Sequence, residues 1–196
     1  MKIILDAMGG DNAPMAPAEG AKEALGMYPQ LEIELAGPID VVTETVEKVF
    51  AGADEALRSR LTLTDCPEVI TNCESPVMAV RRKKQSAIVD GMLKLRDGQV
   101  VAFVSAGSTG AVLSGGMFRL GRLKGIDRPA LAPLLPNGKD FFLLIDCGAN
   151  VDCRPEYRHQ FAMMGSAYME GMRGVKNPRI GLVNNGTEEH KGDELR

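Results

Sequence analysis

Residues 100–111 read Val-Val-Ala-Phe-Val-Ser-Ala-Gly-Ser-Thr-Gly-Ala. The segment 100–105 is almost continuously apolar, as expected of a strand buried on both faces of a parallel sheet. Small and hydroxylic residues follow at once, and apolar residues at helical spacing resume over 108–121. A strand that passes through a tight turn into a helix is the unit of a parallel α/β sheet.

The same alternation extends in both directions. Toward the N-terminus, strands are expected at 2–7, 32–36 and 61–65, and helices at 14–27, 39–50 and 77–97, the last broken near Ser86. Toward the C-terminus, strands are expected at 141–147 and 179–184 around a long helix at 155–175. The pattern predicts one α/β domain over 1–196, with a mostly parallel sheet and helices on both faces. In such sheets ligands sit beyond the carboxyl ends of the strands, so the segments after each strand carry the functional reading.

Composition narrows the classes. A formal net charge of −3 and a pI near 5.5 argue against nucleic acid as partner. Cys66, Cys73, Cys147 and Cys153 form no C-x-x-C pair, and His159 and His190 are the only histidines, so a structural zinc site is not expected. The apolar run at the N-terminus stops at Asp6, too early for a signal-peptide core. No apolar stretch approaches the ~20 residues that span a bilayer. A cytoplasmic protein with reduced thiols is expected, with peripheral membrane contact left open.

Four strand ends hold candidate site residues. After the first come Asp6, Gly9, Gly10 and Asp11 (DAMGGD), readable either as a close-approach loop for a ligand or as a plain turn capped by Asp11 or Asn12. After the strand at 100–105 come Ser105, Gly107, Ser108, Thr109 and Gly110. Small residues there leave backbone N–H groups uncovered at a helix N-terminus, which suits a phosphate; a capped turn with close helix packing is the plainer reading. No Gly-Lys-Ser/Thr follows, so this is not a nucleotide-hydrolysing phosphate loop, and no dinucleotide fingerprint follows the first strand. Asp146 ends the strand at 141–147 as a residue that orients a donor or binds a metal, and Asn150 follows as a donor and acceptor; a turn capped by Asn150 or Asp152 is the plainer reading. Lys191 follows the last strand, as a phosphate partner or proton donor to a leaving group, or as a solvated loop lysine. The run Arg81-Arg82-Lys83-Lys84 can attract an acidic protein or phosphate, or simply complement a helix end. Arg128, fixed before Pro129, is a further candidate.

Five segments together resemble the motifs of PlsX-type phosphate acyltransferases: Asp6–Asp11, Ser105–Ala111, Arg122–Pro133, Asp146–Asp152 and Gly181–Glu194. They stand in that family's order and spacing, and PVMAVRRKK at 76–84 resembles a further family segment. Ser108 departs from the family, where Asn is frequent. The resemblance implies a three-layer α/β/α fold similar to phosphotransacetylases and to isocitrate and isopropylmalate dehydrogenases. It implies transfer of a fatty acyl group from acyl-(acyl carrier protein) to inorganic phosphate, giving acyl-phosphate for phospholipid synthesis without metal or organic cofactor. It also implies a homodimer and delivery of the product to a membrane glycerol-3-phosphate acyltransferase. On this reading Lys191 and Asn150 are catalytic, Asp6 and Asp146 orient donors, the 105–110 loop holds phosphate, and residues 81–84 meet the carrier protein. The family's chain continues well past Arg196, so residues 1–196 are expected to be its N-terminal part. A coenzyme A-dependent phosphotransacetylase, a decarboxylating dehydrogenase, and an inactive fragment that only binds carrier protein are the alternatives.

Overall fold

The computed structural model describes residues 1–150, 153–184 and 186, which fall into two compact units, Met1–Gly121 and Arg122–Arg196. The first unit is built on four parallel strands: β1 (Lys2–Asp6), β2 (Glu32–Gly37), β3 (Leu61–Asp65) and β4 (Ala102–Val104). Their spatial order is β3-β2-β1-β4. Between them run α1 (Met15–Met27), α2 (Ile39–Val49), the single turn α3 (Glu55–Arg58), α4 (Pro76–Arg82) and α5 (Ala87–Arg96). After β4 comes α6 (Thr109–Gly115), which continues as a π-helical turn over Gly116–Leu120.

The two-residue period of the strands divides the core. Ile3 and Leu5 of β1 and Ile33 and Leu35 of β2 pack with Leu25 of α1 and with Val42, Val46 and Phe50 of α2 and its end. Ile4 and Ala36 face the other way and pack with Ala87 of α5 and Val100. Leu25, Val42 and Phe50 are fully buried, and each such side chain contributes about 1.5–3 kcal/mol relative to exposure. The α/β reading therefore holds, with helices on both faces of a parallel sheet. The expected break near Ser86 is also present: Ser86 is buried, accepts the Val89 N–H at 3.4 Å and starts α5.

The α5 face of β2 also buries a carboxylate. Glu34 is 5% exposed, is paired with Lys2 at 2.7 Å, and accepts from Lys94 and the Thr64 hydroxyl. Lys94 is shared with Asp90 at 2.8 Å. Burial alone would raise the Glu34 pKa; Lys2, Lys94 and Thr64 overcome it and hold the carboxyl down at about 2.

The second unit departs from the alternation. Residues 141–147 do not join a parallel sheet. Only Phe141–Leu143 forms a strand, β6, paired antiparallel with β5 (Leu134–Pro136). Asn137-Gly138 makes the reversal: Gly138 has φ +85°, and Asn137 Oδ1 accepts from the Lys139 and Asp140 amides at 3.1 and 2.7 Å. Beyond β6 the chain stays beside residues 131–133 through Leu144 N–H to Pro133 O and Cys147 N–H to Leu131 O. The long helix α7 (Pro155–Arg173) is as expected and ends at Gly174, φ +67°. Residues 179–184 have strand-like alternation but pair with no strand among the described residues; Ile180, Leu182 and Val183 are 63–80% exposed. Period alone does not make a strand without a neighbour to complete its ladder. No described helix is long and apolar enough to cross a membrane.

Replacing Glu34 by Gln leaves Lys94 and Lys2 facing a neutral group in a buried site. The expected loss is about 3–5 kcal/mol in urea unfolding at neutral pH. The sign with pH is fixed by the lowered pKa. The stabilisation by Glu34 is complete above its ordinary value of 4.5 and is lost as pH falls toward 2. The difference between wild type and Glu34→Gln should therefore shrink over that interval.

Candidate functional site

The strand order places a switch point at β1: the chain leaves β1 toward β2 and β3, then crosses to the opposite side as β4. Ligands of open α/β sheets collect at the carboxyl ends of such neighbours. Here those ends are Asp6–Asp11 and Ser105–Gly110, and the structure brings them together.

Asp6 ends β1 and is 5% exposed. Its Oδ2 accepts the Ser105 hydroxyl at 2.8 Å, and its Oδ1 accepts the Met8 amide at 3.0 Å. Ser105 Oγ in turn accepts the Gly107 amide at 3.0 Å. Burial raises the Asp6 pKa, and the hydrogen bonds from Ser105 and Met8 partly oppose it.

Glycine 9 is where the loops touch. A Cβ there would lie 2.8 Å from the Gly107 nitrogen and 3.0 Å from both the Ala106 nitrogen and Ser105 Oγ. Gly10 has φ +96°, a conformation side chains rarely adopt. What approaches the glycines closely is the 105–107 loop of the same chain. Pro14 stands at the N-cap of α1 without a side-chain cap, and Asp11 is exposed.

Ser108 caps α6 by accepting the Ala111 amide at 3.3 Å, which leaves its O–H free to donate. Among the described residues no acceptor meets the amides of Ser108, Thr109 or Gly110. These are the uncovered donors expected of a helix N-terminus. Gly110 also lies against α4, where a Cβ would meet Pro76 Cγ at 2.7 Å. The capped-turn reading and the exposed-donor reading are thus both true of one loop.

In the second unit, Asp146 gathers its own loop. Oδ1 accepts the Leu131 amide at 2.8 Å and the Ala149 amide at 3.2 Å; Oδ2 accepts the Asn150 amide at 2.7 Å and Asn150 Nδ2 at 3.1 Å. Asn150 Nδ2 also donates to Pro129 O at 2.9 Å. The guanidinium of Arg128 lies over the Tyr157 ring, 5.8 Å from its centroid. Lys191 lies outside the described residues.

The family model described as fatty acid synthesis protein matches residues 1–196. The chain belongs to this fatty acid synthesis family. It is 50% identical over 196 residues to a phosphate acyltransferase of Bacillus licheniformis, and 46% and 44% identical over 195 residues to phosphate acyltransferases of Clostridium acetobutylicum and Clostridium novyi. Each match covers 100% of this chain and 57% of the relative, so the chain spans little more than half the length of these proteins.

The basic run of this fatty acid synthesis family member is divided by its contacts. Lys83 Nζ turns inward to Val69 O at 2.6 Å and Glu74 at 2.7 Å. Arg81 stacks on Phe118 of the π-helical turn, 5.4 Å from the ring centroid. Arg82 and Lys84 are exposed. Neither the Phe118 contact nor the packing of Pro76 against Gly110 has a sequence signal, because both join segments more than thirty residues apart.

Gly9→Ala should drive the two loops apart and cost about 1–3 kcal/mol in chemical denaturation. Asp6 supplies a pH test opposite in sign to Glu34. Its folded pKa lies above 3.8, so its contribution to stability is greatest below 3.8 and declines as pH rises toward the folded value. Asp6→Asn should remove that decline from the melting temperature measured against pH.

Proposed function

We propose that the protein transfers a fatty acyl group from an acyl-(acyl carrier protein) thioester to inorganic phosphate, giving acyl-phosphate for phospholipid synthesis. The observation that carries this reading is the loop at the switch point. Asp6 fixes Ser105, Ser105 fixes Gly107, and the amides of Ser108, Thr109 and Gly110 are left without acceptors among the described residues. Donors fixed in this way suit a phosphate and need no rearrangement when it binds. The names of the relatives supply the acyl chemistry.

In the step proposed, a phosphate oxygen attacks the thioester carbonyl carbon. The carbonyl π electrons move to oxygen, giving a tetrahedral oxyanion. Its collapse restores the carbonyl, breaks the carbon–sulfur bond and releases the carrier thiolate, which takes up a proton. Holding two reactants in line supplies up to roughly 7–11 kcal/mol of barrier reduction. No metal or organic cofactor enters this step. Gly9 and Gly10 let the 105–107 loop close on the turn after β1, and Asp11 and Thr109 stand exposed at the rim. Lys191 neutralises the attacking phosphate or protonates the thiolate. Asn150, whose side-chain protons are held by Pro129 O and Asp146, supports the oxyanion by ordering the backbone donors of its loop, and Arg128 meets substrate charge. The wider reading rests on the resemblance: a cytoplasmic homodimer, in peripheral contact with the membrane, whose product passes to a glycerol-3-phosphate acyltransferase.

The test is release of free carrier thiol from a long-chain acyl-(acyl carrier protein), with and without phosphate, with acyl-phosphate trapped by hydroxylamine. Phosphate-dependent release is expected, and a coenzyme A thioester should serve poorly. Failure of a protein of the relatives' full length to release thiol would reject the reading. Ser105→Ala should lower kcat/KM for phosphate by about 10- to 100-fold, since a hydrogen bond to a charged group is worth about 1.5–3 kcal/mol.

A further inference from the structure

The surface formed by α4 and the π-helical turn combines charge, an aromatic ring and proximity to the candidate site. No Asp or Glu occurs between Glu74 and Asp90, or between Asp97 and Asp127, the segments that build it. The whole chain has net charge −3, so this is a local reversal of sign. Arg82 and Lys84 project from the end of α4, and Arg81, also exposed, lies over the ring of Phe118, which is 45% exposed. Arg119 Nη2 donates to Val80 O at 3.0 Å and ties the π-helical turn to the last turn of α4. The cations therefore stand on a braced platform. Lys83 is not part of it, because its ammonium is held by Glu74 and Val69.

The same helix leads to the candidate site. Its first residue, Pro76, packs against Gly110 of the donor loop. Residues 76–82 span about 9 Å at the ordinary helical rise. A partner seated on the cationic end of α4 is thus a short arm's length from the phosphate loop.

We propose that the acidic protein carrying the acyl thioester docks on Arg81, Arg82, Lys84 and Phe118. This rests on the reading under Proposed function and adds to it a place and a selection of residues. A donor covalently tethered to its carrier must be held beside the site at arm's length, and α4 supplies both ends of that arrangement. Charges at an interface rim chiefly set encounter rate and salt dependence, while the stacked Arg–Phe pair supplies an anchor of the kind enriched at binding hot spots. An anionic membrane is the other partner such charges attract, but it does not require the surface to adjoin the site.

The experiment titrates the full chain with acyl carrier protein at low salt and follows fluorescence anisotropy of the labelled carrier. Arg82→Glu/Lys84→Glu should weaken binding at least tenfold. Arg82→Gln/Lys84→Gln should weaken it by about threefold, and Lys48→Glu, on α2, should leave it unchanged. Wild-type affinity should fall as salt rises to about 0.3 M. Melting curves check that each variant is folded. No binding by wild type, or binding indifferent to both α4 variants, overturns the proposal. So does binding to anionic phospholipid vesicles with the same charge dependence as the carrier. Phosphate-dependent thiol release from acyl-(acyl carrier protein) at saturating concentration, measured in parallel, tests the proposed function separately from the docking surface.

Discussion

A hydrogen bond between Asp6 and Ser105, residues 99 positions apart, closes the carboxyl end of the sheet. Parallel pairing sets β1 beside β4, but that ladder ends at Leu5–Val104. Beyond it the chain must turn twice without a ladder to hold it. Asp6 replaces the ladder there, taking the Ser105 hydroxyl on one oxygen and the Met8 amide on the other. Ser105 then takes the Gly107 amide, and Gly9 lies close enough to that amide to exclude any side chain. The start of α6, and the direction of its first amides, depend on this sequence of contacts.

Asp6 and Glu34 lie on the same face of the sheet and show how neighbours decide a buried carboxylate's state. Both are about 5% exposed. Glu34 has two ammonium groups and a hydroxyl and is held ionised, with its pKa near 2. Asp6 has neutral donors, and burial dominates, so its pKa rises. Desolvation is the largest single influence on both, and only the full charges of Lys2 and Lys94 reverse it. The Glu34 network fixes α5 to β1, β2 and β3 without approaching the strand ends. The contacts that tie α5 to the sheet and those that close the loop therefore depend on different carboxylates.

The sequence made the first unit legible because its local signals and long-range order agree. The apolar strands, the period of α2 and the Ser86 break each appear within a few residues of their expected places. The second unit was legible only in α7. Residues 141–147 have the composition of a buried strand, but Asn137-Gly138 is a stronger local instruction and folds Phe141–Leu143 back on Leu134–Pro136. At the site, the glycines and serines could be read as close approach or as caps. Ser105 and Ser108 differ in role only because Asp6 stands opposite one and not the other. The basic run looked uniform. Glu74 and Phe118 sort it into an internal lysine, a stacked arginine and two exposed cations.

That division bears on what the loop can recognise. A carboxylate beside an anion site is unfavourable when it faces the anion, yet Asp6 is turned inward and its oxygens are occupied by Ser105 and Met8. Ser105 donates its hydroxyl hydrogen to Asp6, so hydroxyl donation to a ligand is left to Ser108, whose oxygen accepts the Ala111 amide, and to Thr109. The backbone amides of Ser108, Thr109 and Gly110 stand beside them. Amides do not titrate in the physiological range, and their directions are set by the helix they begin. The proposed phosphate site would keep its donors across a broad pH range, and it would leave neutralisation of phosphate charge to cations brought in from elsewhere. Small side chains at Gly107 and Gly110 are then a requirement of packing, because a Cβ at Gly107 would lie 3.2 Å from Ser105 Oγ and one at Gly110 would lie 2.7 Å from Pro76 Cγ.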